Sequence, residues 1–330
     1  MKKLIYPLCI FLMLACSKEE LDHPVLYENL YTLQDDPSDP VKHRIYEIYE
    51  KYGAPVYFND TIGKFYVKDD IYGQPYYRYE KIDLNWHFYS DDSKVASYDI
   101  YYQTDVERQM ISLDFIENLL AGLSKPIQPY AFFVADSIGY VKKGTGAGFV
   151  RALVQFRTVT LAGLHKETET DKEELSDEIT RSLISMKISR FTDRLFQFYS
   201  VSKAAWFQKQ WSELGAVWTG TWGPSIFEEW AKEYLMKGTT WDAPWTEEQV
   251  EAKRDEIRSA IGPFGFVGGG SMGGDMYSPE NNARDLSLYM NEILSCDRTE
   301  FTRRWGNYPL VMRKYEILYN LLKEELDYEL

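Results

Sequence analysis

Between Leu175 and Phe198, apolar side chains recur at Leu175, Ile179, Leu183, Met186, Phe191, Leu195 and Phe198. Steps of three and four, which all but the one from Met186 to Phe191 are, place such residues on one stripe of an α-helix. The spacing predicts one long helix here. An apolar stripe of that length demands a second layer to pack against. Further helices are expected over Ser225–Met236, Thr246–Ile261, Pro279–Leu294 and Tyr308–Leu326, with a glycine-rich loop from Pro263 to Gly274. Residues 171–330 therefore read as a largely helical C-terminal part.

Residues 40–170 have a different texture. Asp39-Pro40 supplies an N-cap and a proline at the first helical position, and Gly53 closes that helix. From Pro55 to Gln103, Tyr- and Phe-rich runs alternate with Asn59-Asp60, Asp69-Asp70, Gly73 and Asp91-Asp92. Short strands in an antiparallel sheet are expected. Thr104 and Glu107 suggest a capping box before a helix ending near Leu123. Tyr130–Asp136 and Ile138–Val141 read as a hairpin turning at Asp136-Ser137, and Arg151–Leu164 as one buried strand. The fold class that follows is α+β: a mixed or antiparallel sheet with helices in residues 40–170, one globular unit with the helical part.

The first residues carry a targeting signal. Lys2 and Lys3 precede an apolar run from Leu4 to Ala15, too short to span a bilayer as a helix. The run ends in Met13-Leu14-Ala15-Cys16, which resembles a bacterial lipobox with Met where Leu is usual. Residues 1–15 are then a signal peptide, Cys16 is the lipidated residue, and residues 16–39 are a flexible tether. Ser17-Lys18-Glu19-Glu20 resembles the signal that carries Bacteroidetes-type lipoproteins to the cell surface. Acyl chains would be the membrane anchor, at about 0.8 kcal/mol per buried methylene.

Charge and composition exclude several functions. The chain of 330 residues carries a formal charge of −14, which removal of Lys2 and Lys3 takes to −16. Nucleic acid is excluded as a partner, because phosphate binding needs a basic face. His23, His43, His87 and His165 are never three or four apart, so no helical His pair exists. Cys16 and Cys296 alone survive processing, too few for a disulfide framework or a CxxC zinc site. Gly144–Gly148 lacks the Gly-Lys-Ser/Thr of a phosphate loop.

The order of Ile48–Phe58 (IYEKYGAPVYF), Gln128–Tyr140 (QPYAFFVADSIGY), Arg157–Leu164 (RTVTLAGL) and Gly265–Met290 (GFVGGGSMGGDMYSPENNARDLSLYM) resembles a known family. It is that of the zinc-binding metallopeptidase lipoproteins encoded beside TonB-dependent transport systems, over about residues 40–325. The resemblance implies a zincin-like scaffold with His-Glu-x-x-His on the long helix and Glu-Asp-x-Ala-Glu downstream. In zincins the two His bind the metal and the Glu activates water. Here the first motif aligns with Met186-Lys187-Ile188-Ser189-Arg190 and the second with Glu280-Asn281-Asn282-Ala283-Arg284. The degenerate metal-site positions are then Met186, Lys187, Arg190 and Arg284. Arg cannot lose its proton to ligate zinc, and no His lies between 166 and 330. No metal, cofactor or catalytic residue is expected. The cations should instead find a carboxylate, with Glu280, Asp285 and Asp193 as candidates, or bind an anion.

Seven of nine tryptophans fall between 206 and 245. Trp206, Trp211 and Trp230 suit packing between helices. Trp218, Trp222, Trp241 and Trp245 lie in Gly-, Pro- and Thr-rich loops and are the candidates for ligand binding. The acidic run from Glu167 to Glu178 reads as a solvated helix start, His165 as a lone histidine, and Cys296 as a structural thiol. Two functions follow. The first is a non-catalytic, surface-exposed outer-membrane lipoprotein that holds a glycan or peptide for a TonB-dependent uptake system. The alternative is a hydrolase, with atypical metal ligands or a carboxylate pair.

Overall fold

The computed structural model describes residues 33–84, 95–142, 146–238, 243–270 and 276–329. The signal peptide, Cys16, Lys18, Glu19, Glu20, His23, His87, Asp91, Asp92, Gly144 and Trp241 lie outside the described residues. The chain divides into two compact units. One contains the hairpin of β2 (Thr61–Asp69) and β3 (Pro75–Lys81), antiparallel and turning through Asp70–Gly73. The other comprises Asp36–Asp60 and Asp83–Leu330.

The main unit is mixed α and β. Helix α1 (Pro40–Tyr52) starts at the Asp39 cap and ends at Gly53, whose φ of 73° suits glycine. Strand β1 (Val56–Tyr57) follows. Strands β4 (Val95–Tyr102), β5 (Ala131–Lys142), β6 (Gly146–Val150), β7 (Ala152–Val154) and β8 (Thr158–Ala162) complete a six-stranded mixed sheet. Helix α2 (Val106–Gly122) connects β4 to β5. Its cap is Asp105, which accepts from the Arg108 amide, rather than the expected Thr104.

Two strand expectations fail. β5 runs straight through Asp136-Ser137 instead of turning there. Its first half lies parallel between β1 and β8, and its second half lies antiparallel between β4 and β6. Asp136 is an extra residue in the pairing with β4, a bulge at the point where the neighbours change. The Arg108 guanidinium donates to its side chain at 2.8 Å. Phe132, Phe133, Val134 and Ala135 are all buried, as suits a central strand covered on both faces. Arg151–Leu164, in turn, is a hairpin of β7 and β8 rather than one strand.

The long helix is also two. Helix α3 (Glu169–Ile188) stops, and α4 (Thr192–Tyr199) begins after a tight turn. The apolar step from Met186 to Phe191 is five residues, and the position that keeps the period is Arg190. Ser189 adds a side-chain bond to the Met186 carbonyl at 2.7 Å, a competitor of the helical ladder. Helices α5 (Glu229–Lys237), α6 (Glu247–Ile261), α7 (Asn282–Ile293), α8 (Arg298–Trp305) and α9 (Pro309–Leu326) follow. Helix α8 is additional to the helices expected from the sequence, and Phe301 and Trp305 are its buried pair. Leu175, Ile179, Leu183, Leu195 and Phe198 belong to one hydrophobic core with the sheet's Phe132 and Leu161 and with the helices of the C-terminal half.

Candidate functional site

A cleft of about 530 Å³ opens between α3, α6, α7 and the glycine loop. Gly268–Gly270 form one wall. A Cβ on Gly268 would meet Leu288 of α7 at 2.8 Å, and one on Gly270 would meet the Ser278 carbonyl at 2.8 Å. The glycines are therefore there for close packing. Arg181, Arg254, Arg284 and Arg304 line the cleft, with Glu228, Glu229 and Glu292. Two of the arginines are committed inside the protein. Arg304 donates to Glu292 at 3.2 Å and Glu300 at 2.7 Å, and Arg254 donates to Glu251 at 2.8 Å and the Ile226 carbonyl at 2.9 Å.

The four positions expected to mark a degenerate metal site, Met186, Lys187, Arg190 and Arg284, do not come together. Arg284 lines the cleft together with Arg181 of α3. Lys187 and Arg190 instead make their contacts at the start of β5. The Lys187 ammonium donates to the Gln128 carbonyl at 3.2 Å and lies 5.0 Å from the Tyr130 ring centre. Burial pushes its pKa down, and Tyr130 opposes that shift. Arg190 sits 4.6 Å from the Phe156 ring centre and bonds Tyr130. Met186 is half-buried against the core. The expected carboxylate partner is absent from these contacts, and Asp285 is taken by Lys314 at 2.5 Å. Nothing in the sequence marked Arg181, because charge on the solvent side of an apolar stripe is ordinary.

A second cavity, about 370 Å³, is lined by Trp222, Tyr234 and Trp245, with Thr219, Thr221 and Lys253 at its edge. Its rings come from three segments. Trp245 precedes the capping box of α6, in which Thr246 and Gln249 exchange bonds, and its amide donates to the Leu235 carbonyl at 2.9 Å. The Trp222 ring centre is 5.9 Å from Trp230 and 6.0 Å from Tyr234. Glu256 accepts from the Thr219 amide at 2.7 Å and from Lys253 at 2.8 Å, fastening the Thr219 loop to α6. Those bonds, Lys253 first, hold the Glu256 carboxyl down at about 2.

Of the four candidate tryptophans, the structure thus brings Trp222 and Trp245 together. Both are half-buried rather than fully exposed. Trp218 packs on the buried Trp211, with ring centres 6.3 Å apart. Trp230, expected between helices, is 57% exposed beside Trp222 and joins this aromatic surface. His165 lies 3.7 Å from Asp136, with its Nδ1 buried and unpartnered, and burial pushes its pKa down. Cys296 is half-buried, its thiol pKa raised by burial. Among the described residues, no three or more His, Cys, Asp or Glu side chains are arranged to hold a metal ion. No helix among them is long and apolar enough to cross a membrane. Comparison with protein-family models, curated proteins and solved structures gives no significant match to the chain.

Proposed function

We propose that the chain is a surface-exposed outer-membrane lipoprotein, anchored through Cys16, that binds a glycan for a TonB-dependent uptake system without catalysing a reaction. The observation that carries the binding reading is the cavity of Trp222, Tyr234 and Trp245. Its volume falls in the range of small-ligand sites, roughly 300–1,000 Å³. Flat ring faces take up the apolar face of a sugar, while the Thr221 hydroxyl can exchange hydrogen bonds with its hydroxyls and that of Thr219, which donates to Glu256 at 2.9 Å, can accept one. A peptide is the second ligand class that such rings accept.

The metallopeptidase-like scaffold is part of the same proposal. Support comes from α3 and α7, which pack together and both line the arginine cleft. In the family resembled, the corresponding helix and segment carry the metal ligands. The stretch of α3 that ends at the cleft is Asp177-Glu178-Ile179-Thr180-Arg181, so this register replaces Met186–Arg190 in the proposal. It keeps a glutamate at the position of the base and puts Asp177 and Arg181 at the two His positions. Arg181 and Arg284 remain cations that cannot bind zinc.

The test is a tryptophan-fluorescence titration of the mature protein against neutral oligosaccharides and short peptides. A saturable change is expected with an oligosaccharide, weakened about tenfold (~1.4 kcal/mol) in Trp222→Ala and in Trp245→Ala. Unchanged affinity in both variants overturns the assignment of the site. Turnover of a peptide library would favour the hydrolase instead.

A further inference from the structure

We propose that the cleft beside Gly268–Gly270 binds a singly charged carboxylate between the guanidinium groups of Arg181 and Arg284. This site is separate from the aromatic cavity, although one segment walls both. Trp222 faces the cavity and Pro224–Glu229 the cleft, and on α6 Lys253 faces one and Arg254 the other.

The argument begins with which cations are free. Arg254 and Arg304 are neutralised by Glu251, Glu292 and Glu300. Arg181 uses its Nε on the Asp177 carbonyl of its own helix, at 3.3 Å, and makes no ion pair among the described residues. Arg284 makes none either. Its amide is held by Asn281, and its side-chain Nε is buried with no hydrogen-bond partner. A buried donor left unsatisfied is costly, and a charged one more so. That nitrogen is closed off from the cleft, so a ligand engages Arg284 through its terminal nitrogens, and the planar guanidinium fork matches the two oxygens of a carboxylate.

The charge of the ligand follows from the rest of the lining. Glu228, Glu229 and Glu292 share the cleft. A phosphate dianion doubles its attraction to Arg181 and Arg284 and its repulsion from Glu228 and Glu229 alike, so it gains little over a monoanion in Coulomb energy and gives up more hydration. Ser225, Asn291 and Ser295 add neutral hydrogen-bonding groups around the same space. The ligand class is therefore a carboxylate on a polar frame, as in an acidic sugar or the C-terminus of a short peptide.

Phenylglyoxal modification of arginine, read residue by residue by mass spectrometry on the whole mature protein, tests this. Sodium glucuronate, triglycine, triglycine amide, glucose and inorganic phosphate serve as protecting probes at about 10 mM, in reach of millimolar affinity. At least one of the two carboxylates should slow modification of Arg181 and Arg284 about fivefold, with glucose and the amide inactive. Protection by glucuronate alone assigns an acidic sugar, and by triglycine alone a peptide terminus. Either supports the proposal. Absence of protection by both overturns it, as does protection by phosphate equal to theirs. Arg181→Gln alters an exposed side chain, so the variant should fold and lose protection at Arg284. Trp222→Ala should keep that protection, so failure of the aromatic site and failure of this one are read separately.

Discussion

Asp285 Oδ2 lies 2.5 Å from the Nζ of Lys314, and the two side chains are 1% and 0% exposed. The ammonium also donates to the Gly265 carbonyl at 2.8 Å, which accepts from the Tyr289 hydroxyl at 3.0 Å. The rings of Phe198, Phe266 and Tyr289 surround it at 4.9 to 5.2 Å. This knot ties α7 and α9 to the glycine loop, one residue from Arg284 in the cleft. Asp285 Oδ1 remains buried without a partner.

Removing one member of this pair strands the other charge in the core. Lys314→Met and Asp285→Leu should each cost about 3–5 kcal/mol. The double variant should recover most of that loss, because a well-packed apolar pair often replaces a buried ion pair at little cost. Urea unfolding of all four proteins measures the cycle. Additive losses would mean that the pair does not act as a unit.

The pair also sets a pH dependence. Burial raises the Asp285 carboxyl from 3.8 to about 6, against the pull of Lys314. Its folded-state pKa thus lies above its unfolded value. The stability it contributes is full below pH 3.8 and is lost as pH rises to about 6. Burial pushes His165 down, which makes stability fall as pH drops, the opposite direction. The readout must therefore be a difference. Wild-type stability minus that of Asp285→Asn should decrease between about pH 4 and pH 6. A difference that is flat across this window contradicts the assignment.

The tryptophans should separate by burial. Trp211→Ala, at a site 2% exposed, should cost about 3–5 kcal/mol. Trp230→Ala, at a site 57% exposed, should cost under about 1 kcal/mol. Trp222 and Trp245 are half-buried against the core, so each should cost roughly 1–3 kcal/mol. Thermal melts of the four variants give the order. A loss at Trp222 or Trp245 as large as that at Trp211 would make them core residues.

Capped helices were the most legible parts of this fold. Asp39-Pro40 and Thr246 mark the starts of α1 and α6 because capping chemistry is local. The strand errors have a nonlocal cause. Asp136-Ser137 has turn chemistry, yet pairing on both sides keeps β5 straight and makes Asp136 a bulge. The break after Ile188 was legible in principle, in the five-residue step across Arg190. Among site residues, the loop positions of Trp222 and Trp245 pointed to the aromatic cavity. Arg181 was invisible, since it shares a cleft with Arg284 only through the packing of α3 on α7.

The proposed lipid anchor is tested directly. Cys16→Ala should shift the protein from the membrane fraction to the soluble one and abolish palmitate labelling. Every acyl chain would be carried by Cys16, so its loss removes the whole anchor and partial release is not expected. Replacing Lys18, Glu19 and Glu20 with Ala should leave anchoring intact and protect the protein from protease added to whole cells. Retention of Cys16→Ala in the membrane would overturn the anchor.

The two registers in which the chain could resemble a metallopeptidase make opposite predictions. Zinc needs His side chains one helical turn apart and a third ligand across from them. Arg284→Glu supplies the third ligand in both tests. Combined with Asp177→His and Arg181→His, it sets the ligand pattern on the stretch of α3 that reaches the cleft lined by Arg181 and Arg284. Combined with Met186→His and Arg190→His, it does not, because Arg190 makes its contacts at Tyr130 and Phe156. The first triple variant should therefore bind about one zinc per chain after dialysis, and the second and the wild type far less than one. Each exchange in the first triple removes or reverses a charge, so circular dichroism should establish that it folds before metal is measured. Zinc bound by a folded second variant, with none in a folded first, would return the register to Met186–Arg190. Zinc in neither folded variant would remove the metallopeptidase-like scaffold from the proposed function, leaving the aromatic cavity and the arginine cleft to stand on their own ligands.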